Sequence, residues 1–340
     1  MDYDIKLNQL CKDLKLGNIM SPPEALSGGL LHKMFEVKTD KGHYVVKALN
    51  PHIMLRKTAL QNYINSELIA LKASEYVPSL PAKPINNTFI HKVKTQYYIV
   101  FDWVKGISLE DKEIEGEHCQ IIGEILGDLH SVDYSDLRLN DLVNESVALI
   151  DWKKYLDLTL NLNYEWVSLF KSNISDLHRW NEKAKKADSD LSEKVISHRD
   201  LDPKNVLWAN KSPTLIDWEA AGYINPYQEL LELAIYWSKD KNESDEKEKF
   251  QLFIRSYLSK IGTVSVNWQT VLNKGYAGKL AWLEYNLKRA LLIECSNKEE
   301  QELGQYEVLT TIKALKLYTN KIPQRLEWIE EVTHENIRNE

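Results

Sequence analysis

The chain contains 340 residues, of which 43% are hydrophobic, so it can bury a sizeable core and is long enough for two lobes. Its formal net charge is −7 and no block of basic residues occurs, which argues against a nucleic-acid partner because phosphate contacts require clustered Lys and Arg. The three cysteines are widely spaced, and the sequence shows neither a signal-peptide pattern nor a membrane-length apolar run, so we expect a cytoplasmic protein without a membrane, disulfide or zinc partner.

The first part of the chain is predicted to contain a short helix, a β-hairpin and a second helix. Residues 3–15 carry apolar side chains at nearly the helical period, which predicts a leading helix. Strand-like runs follow at residues 30–37 and 43–49, and the Thr-Asp-Lys-Gly sequence between them, residues 39–42, is typical of a hairpin turn. The next helix is predicted for residues 56–75.

A lysine and two glycines in this region carry possible chemistry. Strand alternation places Lys47 on the same face as Val45 and Leu49, so its amine needs a partner there; a charge on an edge strand is the alternative. Upstream, Gly28 and Gly29 lie side by side. Paired glycines let a backbone approach phosphates closely, and they serve equally well in any tight turn.

The chain changes character after the strand predicted for residues 96–101, which ends at the Asp-Trp-Val-Lys-Gly sequence of residues 102–106. From residue 117 onward, apolar residues recur mostly at the helical period. We therefore predict an α+β protein with a small N-terminal lobe, residues 1–103, and a mainly α-helical C-terminal lobe, residues 104–340. The helices predicted in the second lobe are 117–130, one or two within 145–190, 227–238, 244–260, 268–294, 297–319 and 322–338.

The most informative stretch is Ser-His-Arg-Asp-Leu-Asp-Pro-Lys-Asn, residues 197–205, followed by Leu-Ile-Asp-Trp-Glu, residues 215–219. Phosphoryl transfer needs a carboxylate that orients the attacking hydroxyl, and it needs oxygen ligands for Mg²⁺. Asp200 suits the first role, whereas Asn205 and Asp217 offer the hard oxygen donors that Mg²⁺ prefers. The alternative is a surface loop, since Asp, Pro and Asn cluster in loops.

These motifs carry a family resemblance. The pattern His198-x-Asp200-x-x-x-x-Asn205 resembles the catalytic loop of the protein-kinase-like superfamily, and Asp217 resembles its metal-binding Asp. The Trp-Glu after Asp217 and the sequence Asn-Pro-Tyr-Gln-Glu-Leu at residues 225–230 are similar to the aminoglycoside phosphotransferase and choline kinase family. The resemblance covers most of the chain and implies a bilobal protein-kinase-like fold, with an antiparallel sheet and a helix in the small lobe.

The resemblance also implies a nucleotide site in the first lobe. Lys47 matches the lysine that binds the nucleotide's phosphates, and Glu67 in the following helix is the best match for its carboxylate partner. The alternative for Glu67 is a solvated helix face. The backbone groups of Asp102 and Val104 match those that bind an adenine edge, although an ordinary strand end would show the same sequence.

The phosphate-binding parts depart from the protein-kinase pattern. Protein kinases place a lysine two residues after the catalytic Asp, where this chain has Asp202, and the first lysine here is Lys204. We therefore expect Lys204, together with Lys47 and Mg²⁺, to steady the transferring γ-phosphate. Gly28 and Gly29 stand where the phosphate loop belongs, but they lack the Gly-x-Gly-x-x-Gly spacing.

The acceptor side is less well defined. Trp218 follows the proposed metal ligand, and an aromatic wall can receive a quaternary ammonium group, whereas most tryptophans serve in the core. Glu219 is expected at the cleft mouth, where it would serve a cationic acceptor. Glu229 matches a structural Asp of the family. Arg199 replaces a small residue usual in aminoglycoside phosphotransferases, so activity toward bulky aminoglycosides does not follow.

We therefore predict a Mg²⁺-dependent phosphotransferase that uses ATP, or GTP, to phosphorylate a hydroxyl of a small molecule. An aminoglycoside, another antibiotic, an amino alcohol such as choline, a sugar and a homoserine-like metabolite all remain open as acceptors. A protein kinase is the nearest alternative, but no Ala-Pro-Glu follows Asp217. A nucleotide-binding pseudoenzyme without turnover is the alternative from another class.

Overall fold

A five-stranded antiparallel sheet forms the first part of the computed structural model, which describes residues 3–26, 31–139, 146–239, 246–295 and 297–339. The strand order is β1-β2-β3-β5-β4. The strands are β1 Glu24–Leu26, β2 Lys33–Lys38, β3 His43–Ala48, β4 Ile90–Val93 and β5 Gln96–Asp102. The predicted hairpin is confirmed, because Lys38 pairs with His43 and the Thr39 amide donates to the Gly42 carbonyl at 2.9 Å.

Two helices cover the two faces of this sheet. Helix α1, Leu7–Asp13, packs on one face with Val46 and Tyr98 in a shared core. Helix α2, Ala59–Ala73, lies on the other face, where Tyr63 packs with Ile99. Both faces of the sheet are therefore buried, and Lys47 in the middle of β3 is only 6% exposed. Both predicted helices are confirmed.

The remainder of the chain is mainly helical, with two short antiparallel pairs, β6 with β9 and β7 with β8. The short strands are β6 Val195–Ser197, β7 Val206–Ala209, β8 Ser212–Leu215 and β9 Gly222–Ile224. The helices are α3 Gly116–His130, α4 Trp152–Leu158, α5 Glu165–Ser172, α6 Ile174–Asp190, α7 Pro226–Trp237, α8 Lys247–Ile261, α9 Trp268–Lys274, α10 Tyr276–Ala290 and α11 Lys298–Asn339.

The structure corrects three helix predictions. Residues 145–190 contain three helices instead of one or two, because the chain turns at Asn173, which ends α5 and begins α6. The helix predicted for residues 268–294 is two helices, which meet at Gly275. The helices predicted for 297–319 and 322–338 are one helix, α11, which passes through Pro323. Ile322 before the proline and Trp328 after it are both buried in the core, so packing supports the helix across Pro323.

Two glycines allow α3 and α8 to pack unusually closely. A Cβ atom at Gly123 would lie 2.5 Å from the Phe253 carbonyl oxygen, and one at Gly127 would lie 2.6 Å from the Lys260 Cβ. Atoms do not pack this closely, so only glycine fits at these positions without backbone movement. The contact fixes the end of α3, where His130 lies.

The small antiparallel sheet followed by a larger helical region confirms the predicted α+β class. Backbone bonds tie the two regions together: Leu80 donates to the Leu215 carbonyl at 2.9 Å, and Leu215 donates to the Pro78 carbonyl at 2.8 Å. The lobe boundary at residue 103 stays a prediction. Within the part of the chain that the structure describes, no helix is both long and apolar enough to cross a bilayer.

Candidate active site

The loop between β6 and β7 brings Asp200 and Asn205 together. A 3₁₀ turn over Pro203–Asn205, entered through the proline, brings the chain back toward its start. The Asn205 side-chain amide then donates to the Asp200 carbonyl at 2.7 Å and to Asp200 Oδ2 at 2.9 Å. The two side chains that the motif predicted to cooperate therefore form one hydrogen-bonded unit.

His198 joins this loop to the segment that carries Asp217. Its Nδ1 accepts the Asp200 amide at 3.3 Å, so the proton is on Nε2, which donates to the Ile216 carbonyl at 2.9 Å. The Ile216 amide in turn donates to the Asn205 carbonyl at 3.0 Å. Burial lowers the pKa of His198, which keeps the ring in this neutral form. All three motif residues are thus held on one connected framework.

The donor set of Asn205 and Asp217 suits Mg²⁺. Because Nδ2 of Asn205 makes both bonds to Asp200, the amide orientation is fixed, and no described residue donates to its Oδ1. Asp217 has left-handed backbone angles, φ 62° and ψ 61°, and its side chain is 37% exposed. In the described residues no group of three or more His, Cys, Asp or Glu could hold a metal. Mg²⁺ usually takes one or two carboxylates and completes its shell with water and phosphate oxygens.

Lys47 pairs with two carboxylates of the second lobe. Its Nζ lies 2.7 Å from Asp217 Oδ1 and 2.9 Å from Glu219 Oε2. Burial alone would lower the pKa of Lys47, but the charges of Asp217 and Glu219 outweigh burial and raise it. The lysine is therefore fully charged and poised beside the proposed metal ligand.

The pairing expected between Lys47 and Glu67 is not found among the described contacts. Glu67 is only 4% exposed, and its Oε2 accepts the Ala82 amide at 2.7 Å. Burial raises the pKa of Glu67 to about 7, although the hydrogen bond from Ala82 opposes this. The Ala82 amide donates to no described backbone carbonyl, so this carboxylate satisfies it, and a role of Glu67 beside Lys47 stays a prediction.

Glu219 contacts two residues of the first lobe. Its Oε2 is 3.3 Å from His32 Nε2, in addition to the Lys47 contact. Burial would raise the pKa of Glu219, but the hydrogen bond with His32 and the charge of Lys47 together lower it to about 2. Two side chains of the first lobe therefore hold this carboxylate, and its predicted substrate role stays a prediction.

Sequence reasoning missed His32. The ring is 5% exposed, its Nδ1 accepts the Asn50 amide at 2.9 Å, and the Tyr63 hydroxyl lies 2.8 Å from its Nε2. The bond from Asn50 places the ring proton on Nε2, which faces Glu219. No spacing rule links a histidine in the first lobe to a glutamate in the second, so only the folded chain reveals the contact.

Trp218 is buried in the core, which favours the core alternative, and a substrate contact stays a prediction. It is 2% exposed, and its ring centroid lies 4.6 Å from that of His198. Its Nε1 donates to the Leu215 carbonyl at 3.4 Å. Because Asp217 has left-handed backbone angles, the Trp218 side chain points into the core, where it packs against His198 of the loop.

Lys204 lies next to the proposed catalytic carboxylate. Its Nζ is 3.4 Å from Asp200 Oδ1 and 3.2 Å from Asp202 Oδ2, and its side chain is 63% exposed. Burial raises the pKa of Asp200, against the effect of the Lys204 charge. An exposed ammonium in this place could contact a phosphate. The expected role of Lys204 in steadying the γ-phosphate stays a prediction.

The segment after β5 offers unpaired backbone groups in the place expected for adenine binding. The Trp103 amide donates to the His43 carbonyl at 2.9 Å, so the carbonyl of Asp102 points away from β3. No described backbone amide donates to that carbonyl, and the Val104 amide donates to no described backbone carbonyl. The role of this segment stays a prediction. Gly28 and Gly29 lie outside the described residues, and their role stays a prediction as well.

A buried glutamate supports the strained start of the catalytic loop. Arg199 has a positive φ of 66°, and its amide donates to Glu229 Oε1 at 2.8 Å. The other oxygen, Oε2, lies 2.9 Å from His130 Nε2, and His130 Nδ1 contacts the Tyr257 hydroxyl at 3.0 Å. Burial would raise the pKa of Glu229, but the hydrogen bond with His130 helps to lower it. The predicted structural role of Glu229 agrees with these contacts.

Comparison with known proteins identifies the family. The family model described as the phosphotransferase enzyme family matches residues 23–257. Comparison with the curated protein sequences gives no match.

Solved structures of similar fold cover nearly the whole chain. A spectinomycin phosphotransferase in complex with ADP and spectinomycin has a TM-score of 0.68 at 15% identity, over 92% of this chain and 99% of that one. An ethanolamine kinase from Plasmodium vivax has a TM-score of 0.59 at 15% identity, over 88% and 85%. An aminoglycoside phosphotransferase from Alicyclobacillus acidocaldarius has a TM-score of 0.61 at 13% identity, over 96% and 98%. These similarities confirm the predicted kinase-like fold.

Proposed function

The chain belongs to the phosphotransferase enzyme family, and from this premise we propose that it transfers the γ-phosphoryl group of ATP, or of GTP, to a hydroxyl group of a small molecule. The observation that carries this proposal is the connected framework of Asp200, Asn205, Asp217 and Lys47. It brings together a carboxylate, an amide oxygen, a second carboxylate and a buried ammonium, which are the parts that phosphoryl transfer requires.

Asp200 is proposed to accept the proton of the attacking hydroxyl. Burial raises the pKa of this carboxyl, which makes its carboxylate a better base than an exposed aspartate. The hydrogen bond from Asn205 fixes Oδ2, so Oδ1 faces Lys204 and is the oxygen available to the acceptor. Orientation of the hydroxyl toward the phosphorus is the main contribution of such a group.

The proposed nucleotide site uses Lys47 for the phosphates and the pair Asn205 and Asp217 for Mg²⁺. When bound there, Mg²⁺ would supply positive charge that offsets the charge developing on the phosphate oxygens. Asp217 would then exchange Lys47 for the metal, while Glu219 would keep the ammonium in place. Glu219 thus takes the positioning role that the sequence suggested for Glu67.

The spacing after Asp217 supports a small acceptor over a peptide. Only residues 218–225 separate it from the start of α7 at Pro226. Protein kinases place an activation segment ending in Ala-Pro-Glu at this position, and eight residues that contain a 3₁₀ turn and strand β9 leave no space for one.

A coupled assay of ADP or GDP release tests the proposal. Purified protein is given Mg²⁺ with ATP or GTP and a panel of small hydroxyl compounds, peptides being included as a separate class. Asp200→Asn should abolish most acceptor-dependent release, whereas Asp176→Asn, which removes a carboxylate paired with Arg179 on α6, should leave it unchanged. Nucleotide binding without any release that depends on Asp200 would instead identify a pseudoenzyme.

A further inference from the structure

Three helices of the second lobe bring a lysine between two tyrosine rings. Lys279 of α10 has its Nζ 5.9 Å from the ring centroid of Tyr236 on α7 and 5.1 Å from that of Tyr318 on α11. Tyr318 is fixed by its hydroxyl, which donates to the Leu272 carbonyl at 2.6 Å. The ammonium is therefore held in one place by aromatic faces on both sides.

This lysine lies near the loop that carries Asp200. Helix α7 is joined to that loop by Trp237, whose Nε1 donates to the Leu201 carbonyl at 3.0 Å. Tyr236 is the preceding residue, and the charges of Asp202 and Asp200 both act on its hydroxyl. The charge of Asp202 acts on Lys279 as well, so both the lysine and Tyr236 lie near the loop that carries Asp200.

Lys279 has no close counter-ion in the described ranges. Among the residues that the structure describes, no carboxylate lies within ion-pairing distance of Lys279 Nζ. A second ammonium, Lys239, lies 5.6 Å from the Tyr236 ring, and the Arg325 guanidinium lies 5.2 Å from the Tyr318 ring. Burial lowers the pKa of Lys279, and the charges of Arg325 and Lys239 add to this, whereas the charges of Glu232 and Asp202 oppose it.

The two carboxylates whose charges act on this lysine are weak counter-charges, since Asp202 pairs with Lys204 at 3.2 Å and Glu232, on α7, has another partner. It bonds to Gln228 Nε2 at 3.0 Å, and burial raises its pKa. Tyrosine faces attract a cation through their quadrupole but carry no net negative charge. A partly desolvated ammonium in such a setting gains most from a bound anion, since charge-assisted hydrogen bonds are the strong ones.

We propose that Lys279, held between Tyr236 and Tyr318, binds an anionic group of the acceptor, so that the substrate is a hydroxyl compound bearing a carboxylate or a phosphate. This inference rests on the proposed function, because it takes Asp200 as the group that meets the acceptor hydroxyl. It departs from the cationic acceptor expected from sequence. A cationic acceptor reaching the same surface would meet Lys279 and Lys239 and be repelled.

Binding is measured first, because it does not depend on turnover. Calorimetric titration of the full chain with glycerate and with glycerol phosphate, in the presence of Mg²⁺ and a non-hydrolysable ATP analogue, should show binding of at least one of the two anions. Glycerol and choline should bind more weakly. Lys279→Met should weaken anion binding roughly tenfold or more, whereas Lys298→Met, which removes an ammonium whose side chain is 85% exposed, should not.

Turnover of the same compounds then tests the substrate class. Lys279→Met should raise KM for the anionic acceptor far more than it lowers kcat, and Lys279→Arg should restore part of the affinity. Thermal unfolding and nucleotide affinity of each variant confirm that the fold and the other half of the site are intact. The ratio of carboxylate to phosphate acceptor activity identifies the anionic group.

The outcomes separate this inference from the proposed function. Anion binding that depends on Lys279, without any ATP turnover, supports the anion site and removes the phosphotransferase proposal. Turnover that depends on Asp200 but prefers choline or a neutral polyol and is unchanged in Lys279→Met supports the phosphotransferase and overturns the anion site. Anion binding that is equal in Lys279→Met and the parent protein also overturns it.

Discussion

Lys47 and Asp217 are 170 positions apart in the chain and form an ion pair of 2.7 Å. The pair joins the central strand of the first lobe to the loop proposed to hold metal in the second. Glu219 completes it at 2.9 Å, whereas Glu67, on the helix next to β3, turns to the Ala82 amide. The partner of Lys47 is thus supplied by the other lobe.

Replacing Glu219 by Gln should therefore affect nucleotide use more than replacing Glu67 by Gln. Loss of the Glu219 charge removes one charge-assisted contact, so we expect KM for ATP to rise by about tenfold. Glu67→Gln keeps an oxygen for the Ala82 amide and should change KM by much less. Steady-state kinetics with varied ATP at saturating Mg²⁺ measure both. An equal effect of the two substitutions would contradict this assignment.

Glu67 should make stability fall as pH rises. Its pKa is 4.5 when unperturbed and about 7 in the folded protein, chiefly because of burial. Between these values the folded chain binds more protons than the unfolded chain, so the free energy of unfolding decreases with pH across that window and the penalty is complete above it.

Glu67→Gln should remove this contribution. Urea unfolding at about pH 5 and about pH 8 should show a smaller loss of stability for the variant than for the parent protein. Glu75→Gln, which changes a side chain 58% exposed just after α2, is the matched control and should follow the parent. Parallel behaviour of the parent and Glu67→Gln across this range would show that the carboxyl is not protonated in the fold.

Glu229 should act as a positioning residue for the catalytic loop. Glu229→Ala leaves the Arg199 amide and His130 without a buried acceptor, so we expect a loss of roughly 2 kcal/mol or more in stability. It should also lower kcat with little change in KM for ATP, because Arg199 directly precedes Asp200. Glu229→Gln keeps an oxygen for the amide and should rescue part of kcat. A variant that loses stability but keeps kcat would show a purely structural role.

Replacement by alanine should have opposite effects on stability at a glycine in the contact of α3 with α8 and at a glycine of α10 that has no close neighbour. Gly123→Ala forces a Cβ atom toward the Phe253 carbonyl and should destabilise the protein by about 1–3 kcal/mol. Gly278→Ala, in α10, meets no atom within 4 Å and should stabilise it by roughly 0.5–1 kcal/mol through helix propensity. Chemical denaturation of both variants gives the comparison. Stabilisation by Gly123→Ala would mean that the two helices can separate at little cost.

Local patterns predicted the framework of the fold. The hairpin that carries Lys47 followed from two β-prone runs and a turn sequence, and the loop with Asp200 and Asn205 followed from fixed spacing. These predictions succeeded because hydrogen bonds between residues close in sequence determine both features. The continuous helix through Pro323 did not follow, since proline ends a helix unless packing from outside the segment supports it.

Contacts between the lobes were beyond sequence reasoning. Glu67 and Glu219 are both acids near Lys47 in the folded chain, and spacing along α2 favoured the first. The direction of each side chain depends on which amide or ring the fold leaves without a partner, as Ala82 and His32 show. Trp218 is similar, because an aromatic residue after Asp217 can point either way until the left-handed turn is known.

The Lys47 and Asp217 pair has a further consequence for the proposed reaction cycle. Each charge of the pair serves as the other's counter-ion, so binding of the proposed nucleotide and metal would be an exchange of partners and not a simple addition. After transfer, the carboxylates can reclaim the ammonium as the product departs. The two carboxylates would thereby compete with ADP for the Lys47 ammonium, which favours release of ADP over its tight retention.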